Sequence, residues 1–146
     1  YVKNIAKDFH SGIIKINAKD KFLYHTISVF ASNYLVGLVY AASKILKKIG
    51  ADEKKVYEIY EPIIKKTLAN IKQKGVAKSL TGPIDRNDIK IIERHAKELG
   101  MADKRLHDLY LNFGLLAAEL AEAKRSINKK EKTKLDSLLK KYLRAN

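Results

Sequence analysis

Between Thr26 and Ser43 the chain carries no charged residue, and nothing else in its 146 residues approaches that apolar run. Extended to residues 20–49, the run reads as one long helix. The uncharged stretch touches the length of a membrane span. Thr26, Ser28, Ser32, Asn33 and Ser43 lower its hydrophobicity, and no second span follows. The expectation is a helix buried on most sides in the centre of a bundle, with no membrane partner.

The start of that helix is chemically unusual. At about 100° per residue, Lys21, His25, Ser28 and Ser32 fall within roughly 60° of one another. Burying such groups without partners would cost about 1–3 kcal/mol each. The stripe therefore either lines a cleft or pairs internally.

The length suits one domain with a real core. Two prolines and seven glycines leave long helices nearly unpunctuated, so the expected fold is all-α, a bundle of five to seven helices. No cysteine is present, which removes disulfide and thiolate chemistry, and a zinc site would rest on four histidines and carboxylates. No metal site is expected. The net charge is +14 with a pI near 9.8. Lysine supplies most of it, scattered in separate clusters on amphipathic helices. Arginine is the better residue for bidentate phosphate contacts. The charge is read as a solubility feature, and nucleic acid is not the expected partner.

Along the chain, residues 1–10 carry apolar residues at helical spacing, with Gly12 as a stop. Residues 13–16 read as a short stray strand, which lacks a partner in the sequence that follows. The chain opens at Tyr1 without a secretory signal, so an upstream sheet is expected to precede it and the location is expected to be cytoplasmic. Gly50 ends the long helix and Asp52 caps the next, in which Pro62 should cause a kink or break near Tyr60. Gly75 closes that helix, and residues 76–87 form a loop region. Asp88 caps a helix that Gly100 should stop. Asp103 caps another, running to about Ile127. Residues 128–134 read as a flexible joint before a basic amphipathic helix over residues 129–144.

No glycine-rich dinucleotide loop, nucleophile elbow or paired-histidine zinc motif occurs. Beside the helix stripe, one further constellation stands out: Leu80-Thr81-Gly82-Pro83-Ile84-Asp85-Arg86-Asn87-Asp88. Gly-Pro imposes an ordered non-helical path. Arg86 precedes a helix start, where backbone N–H groups gather positive potential. Simple capping, with Arg86 solvated, explains the same residues.

These two segments carry a resemblance. Lys21-Phe-Leu-Tyr24-His25 with Val29-Phe-Ala-Ser32-Asn33 resembles the first helix of a helical domain that follows a Rossmann-like NADP-binding domain. The oxidoreductases concerned are poorly characterised relatives of ketopantoate reductase and, more distantly, 6-phosphogluconate dehydrogenase. Their second signature is a Thr-Gly-Pro-hydrophobic-x-Arg-Gly-Asp loop, to which Thr81 to Asp88 is similar, with Asn87 in place of glycine. The resemblance covers roughly residues 1–122.

It implies a bundle like the 6-phosphogluconate dehydrogenase C-terminal domain. Residues 1–17 would be the end of the cofactor-binding domain and residues 18–146 the substrate and dimerisation domain. His25 or Lys21 would act as acid/base on a substrate oxygen. Ser32 and Asn33 would hold the substrate, and Thr81 and Arg86 would bind an anionic group. No cofactor is expected in this chain. NADP is expected for the full-length protein, with a small-molecule substrate, and the chain alone should be an inactive homodimer. Two rival readings remain: a stand-alone helical protein-interaction module, and a basic nucleic-acid-binding helical domain.

Overall fold

The computed structural model describes residues 14–144, and the expected helix over residues 1–10 lies outside them. Helix α1 comprises Lys21–Ser28 and Tyr34–Lys48, joined without a break through the π-helical turn Val29–Asn33. It ends as Gly50 adopts φ +83° and the Ala51 N–H reaches back to the Leu46 carbonyl. This backbone reversal favours glycine, which has no Cβ to clash. The Asp52 carboxylate then accepts from the Lys54 N–H at 3.0 Å and opens the turn into α2, Val56–Lys74. After a four-residue helical turn, Val76–Ser79, come α3 (Ile89–Ala102), α4 (Lys104–Lys124) and α5 (Lys129–Arg144). Among the described residues the protein is all-α.

The core sits in the C-terminal half. Ile92 and Ala96 of α3, Leu111, Ala118 and Ala121 of α4, and Leu135 and Leu139 of α5 are buried together, closed by Ile84 and Ile127. Burying each large aliphatic side chain stabilises this layer by about 1.5–3 kcal/mol. Helices α4 and α5 approach closely at Gly114, where a Cβ would meet the Leu139 Cδ1 at 3.2 Å.

Several expectations fail for physical reasons. Of the strand expected over residues 13–16, residue 13 lies outside the described residues and residues 14–16 form no strand, since no described segment offers them a pairing edge. Helix α1 is not at the bundle centre: only Ser43 and Leu46 are buried on it, and its N-terminal half lies exposed. Ala18–Lys48 is long and apolar enough to cross a membrane, with 11% of its apolar window buried. Pro62 does not break α2, because a missing N–H orphans only the carbonyl of Glu58, on an exposed residue. Gly100 does not stop α3, which continues to Ala102 and ends where Asp103 becomes extended.

Two further boundaries differ. Helix α4 stops at Lys124 because Arg125 takes a left-handed conformation, φ +65°, and the Ser126 N–H returns to the Ala121 carbonyl. Residues 128–134 are no joint. The Glu131 N–H donates to Asn128 Oδ1 at 3.0 Å and the Asn128 N–H to Glu131 Oε2 at 2.7 Å, a reciprocal cap on α5.

The packing makes Leu135 a central contact. Leu135→Ala should lower stability by about 2–5 kcal/mol in urea unfolding, as cavity-forming substitutions do. A loss under about 1 kcal/mol would place the core elsewhere.

Candidate functional site

The residues expected to carry chemistry occupy two places. Lys21, His25, Ser32 and Asn33 stand on the exposed half of α1, and their side chains take no hydrogen bond or ion pair from the described residues. His25 is therefore not a core histidine satisfied by a carbonyl. The π turn changes their alignment. The Tyr34 N–H bonds to the Val29 carbonyl, five residues back, so this turn holds one residue more than an α-turn. In a regular helix Asn33 would lie roughly 100° from Ser32 and off the stripe. The wider turn slows the rotation over residues 29–33 and brings Asn33 toward the Lys21–His25 line, with Ser32 flanking it.

Thr81 and Arg86 sit on a rigid turn. Gly82 has φ +96°, a conformation that leads into Pro83 without Cβ strain. The Asp88 N–H donates to the Pro83 carbonyl at 2.8 Å and the Asn87 N–H to the Ile84 carbonyl at 3.1 Å, with Asn87 left-handed at φ +52°. Asparagine tolerates this left-handed conformation, so the turn closes without a glycine at this position. Asp88 then caps α3 through the Ile91 N–H.

A clamp unseen in the sequence fixes this turn to the core. Lys124 Nζ reaches both Asp85 carboxylate oxygens, at 2.9 and 2.8 Å, and the Leu80 carbonyl at 2.9 Å. Burial pushes the Asp85 carboxyl up, but hydrogen bonds from Lys124 and Ser126 and the Lys124 charge outweigh it and hold the group below its ordinary value. A second long-range pair joins Lys44 Nζ to Asp103 Oδ2 at 2.8 Å, tying the C-terminal part of α1 to the start of α4. The Lys44 hydrogen bond, with the Leu106 N–H, lowers the Asp103 pKa.

Two apolar cavities separate α1 from α4. None of the six residues lines either of them. From the turn, Ile84 lines the second of these cavities together with Leu38 and Ala41 of α1.

Sequence reasoning passed over two histidines. His95 Nδ1 lies 3.2 Å from the Tyr110 hydroxyl, and the rings stack edge to face at 5.7 Å. Burial raises the Tyr110 pKa. His107 is fully buried, with Nδ1 3.2 Å from Asp108 Oδ1. Tyr110 and His95 stand on different helices, and a pairing of that kind has no local signal in the sequence. Among the described residues no three His, Asp or Glu side chains are grouped to hold a metal.

The clamp predicts an acid response. A carboxylate with a lowered folded pKa contributes stability that is present above its unfolded pKa, about 3.9, and lost as pH falls through the folded value. Asp85→Asn should cost about 1–3 kcal/mol at neutral pH. The gap to the unmodified protein should shrink in urea unfolding at about pH 3. A gap that persists at that pH would mean that packing, not the ion pair, fixes the turn.

The family described as a domain of unknown function, DUF2520, matches residues 1–135, which carries the likeness past residue 122 and into α5. No curated protein matches the chain, and no solved structure does. The match covers α1 to α4 whole and both constellations, and the chain belongs to the DUF2520 family.

Proposed function

We propose that this chain is the substrate-binding and dimerisation half of an NADP-dependent oxidoreductase related to ketopantoate reductase and 6-phosphogluconate dehydrogenase. The observation that carries the reading is the exposed stripe of α1. Lys21 and His25 share a helix face that the described residues leave open, and a π turn brings Asn33 toward it with Ser32 flanking. Such turns often mark functional sites.

The starts of α3, α4 and α5, and the turn before α2, do not fit a dinucleotide's pyrophosphate. Helix N-termini are the usual cradle for phosphate. Here Asp88, Asp103, and Asn128 with Glu131 close α3, α4 and α5, and Asp52 closes the turn before α2. Carboxylates at these ends repel phosphate and already hold the N–H groups. In this reading the cofactor belongs to a separate Rossmann-like domain.

The work left to this chain concerns the substrate. His25 or Lys21 donates a proton or hydrogen bond to a substrate oxygen, as a positioned general acid does. Ser32 and Asn33 orient the substrate. Arg86, held beside the anchored Asp85, supplies positive charge for an anionic group, and Thr81 a hydroxyl.

Two outcomes test the reading. Calorimetric titration of this chain with NADPH should show no micromolar binding, and micromolar affinity would contradict a cofactor site elsewhere. In the full-length enzyme, His25→Ala should lower turnover by about 10²–10⁴-fold while NADPH affinity is retained. Unchanged turnover would remove His25 from the site.

A further inference from the structure

We infer that the outer face of α5 binds duplex DNA through its phosphates, without regard to base sequence. The inference stands apart from the oxidoreductase role and rests on how α5 sorts its charges.

Six cations of α5 are exposed: Lys129, Lys130, Lys134, Lys140, Lys141 and Arg144. At about 100° per residue they fall within roughly 140° of one another, on the side away from Leu139. Leu135 and Leu139 are fully buried in the core, which fixes this orientation. The reciprocal cap between Asn128 and Glu131 fixes the start of the helix. Lys130, Lys134, Lys141 and Arg144 form a nearly straight row, roughly 21 Å long at 1.5 Å per residue. Near its end Ser137, Lys140, Lys141 and Arg144 surround an open hollow of about 500 Å³.

The acidic residues of α5 are kept off this face. Glu131 serves the cap, and Asp136 pairs with Lys132. None of the six cations has an ion pair among the described residues. Other exposed lysines do: Lys47 pairs with Glu53, Lys65 with Glu61 and Lys104 with Asp108. Residues 1–13 and 145–146 hold one acidic side chain, Asp8, beside Lys3 and Lys7, so they bring no net counter-charge to the face.

This arrangement opposes the helix that carries it. Lys130 with Lys134, and Lys140 with Arg144, stand four residues apart, where like charges destabilise a helix. Solubility is served as well by interspersed signs, whereas a one-signed field draws in a polyanion.

Shape selects the polyanion. The row is the crest of a convex ridge, with Lys129 and Lys140 on its flank. The major groove of B-DNA, about 12 Å wide, admits an α-helix between two phosphate walls, so crest and flank can be satisfied together. A flat anionic bilayer meets the crest alone. It also gains no apolar insertion, because Leu135, Leu138, Leu139, Tyr142 and Leu143 pack into the core. The narrow major groove of A-form RNA excludes such a helix. Single strands call for aromatic side chains to stack the bases, and the exposed face of α5 has none.

The same face is poor at reading bases. The Thr133 and Ser137 hydroxyls donate back to the Lys129 and Thr133 carbonyls. Lysine meets phosphate as a point charge and lacks the fork that arginine sets against guanine. Binding therefore follows the backbone.

Fluorescence anisotropy of the full chain with a labelled duplex of about 20 base pairs tests this. Affinity should be micromolar at about 0.05 M salt, and log affinity should fall with log salt at a slope of about −4 to −5, the counterion release of five phosphates. A duplex of shuffled sequence should bind equally within about threefold. Lys130→Gln, Lys134→Gln and Lys141→Gln together should weaken binding at least about tenfold and make the slope shallower by about 2 to 3. Glutamine matches lysine as a helix former, so circular dichroism should not change. Lys66→Gln, Lys72→Gln and Lys74→Gln remove the same charge from exposed positions of α2 and should alter affinity by less than about threefold. Equal losses in the two variants overturn the inference, since net charge alone would then hold the duplex. Absence of binding at about 0.05 M salt overturns it as well. So does a preference for phosphatidylcholine–phosphatidylglycerol vesicles over the duplex through the same three lysines.

Discussion

The rest of the structure depends on how little of α1 the other described residues cover. Ala18–Lys48 spans 31 residues with apolar side chains around much of its circumference. A helix of that kind is stable in water only when most of it is buried. The α3–α5 layer spends its apolar surface on itself, with Leu111, Leu135 and Leu139 fully buried in one core. What remains for α1 is the tie at its C-terminal end, through Lys44 to Asp103, and the burial of Ser43 and Leu46. The described residues thus form a buried α3–α5 layer with a long helix held most firmly at its C-terminal end.

That division bears on chemistry. The core holds the Thr81–Arg86 turn still through the Lys124 clamp and the Asn87 reversal, so its exposed side chains project from a rigid base. The arm carries Lys21, His25, Ser32 and Asn33 on a face that nothing in the described chain occupies. Rigid presentation on one side and open reactive groups on the other suit a site completed by another body.

Local features were legible in the sequence. Asp52, Asp88 and Asp103 announce helix starts because capping is decided within three residues. Gly50 and Gly75 announce stops because only positive φ closes those turns comfortably. Gly100 misled because glycine can also continue a helix, and Pro62 because an exposed helix tolerates one lost bond. The apolar run over residues 26–43 suggests a central core helix, yet Ser43 is its one buried residue. Periodicity reports that a surface must be covered, not what covers it.

The site was legible by residue type and not by geometry. The stripe of Lys21, His25 and Ser32 follows from helical spacing, whereas the π turn that brings in Asn33 has no sequence signal. Lys124 with Asp85 and Lys44 with Asp103 pair across 39 and 59 residues, and nothing local marks either.

The central claim is that α1 is covered from outside its own chain, and amide hydrogen exchange followed across about a hundredfold dilution tests it most directly, since protection reports the opening of each segment. Amides of α4 and α5 should keep constant protection, while those of residues 21–40 should lose theirs as the protein is diluted. Equal, concentration-independent protection along α1 and α4 would show that the chain covers its long helix by itself, and would contradict the account.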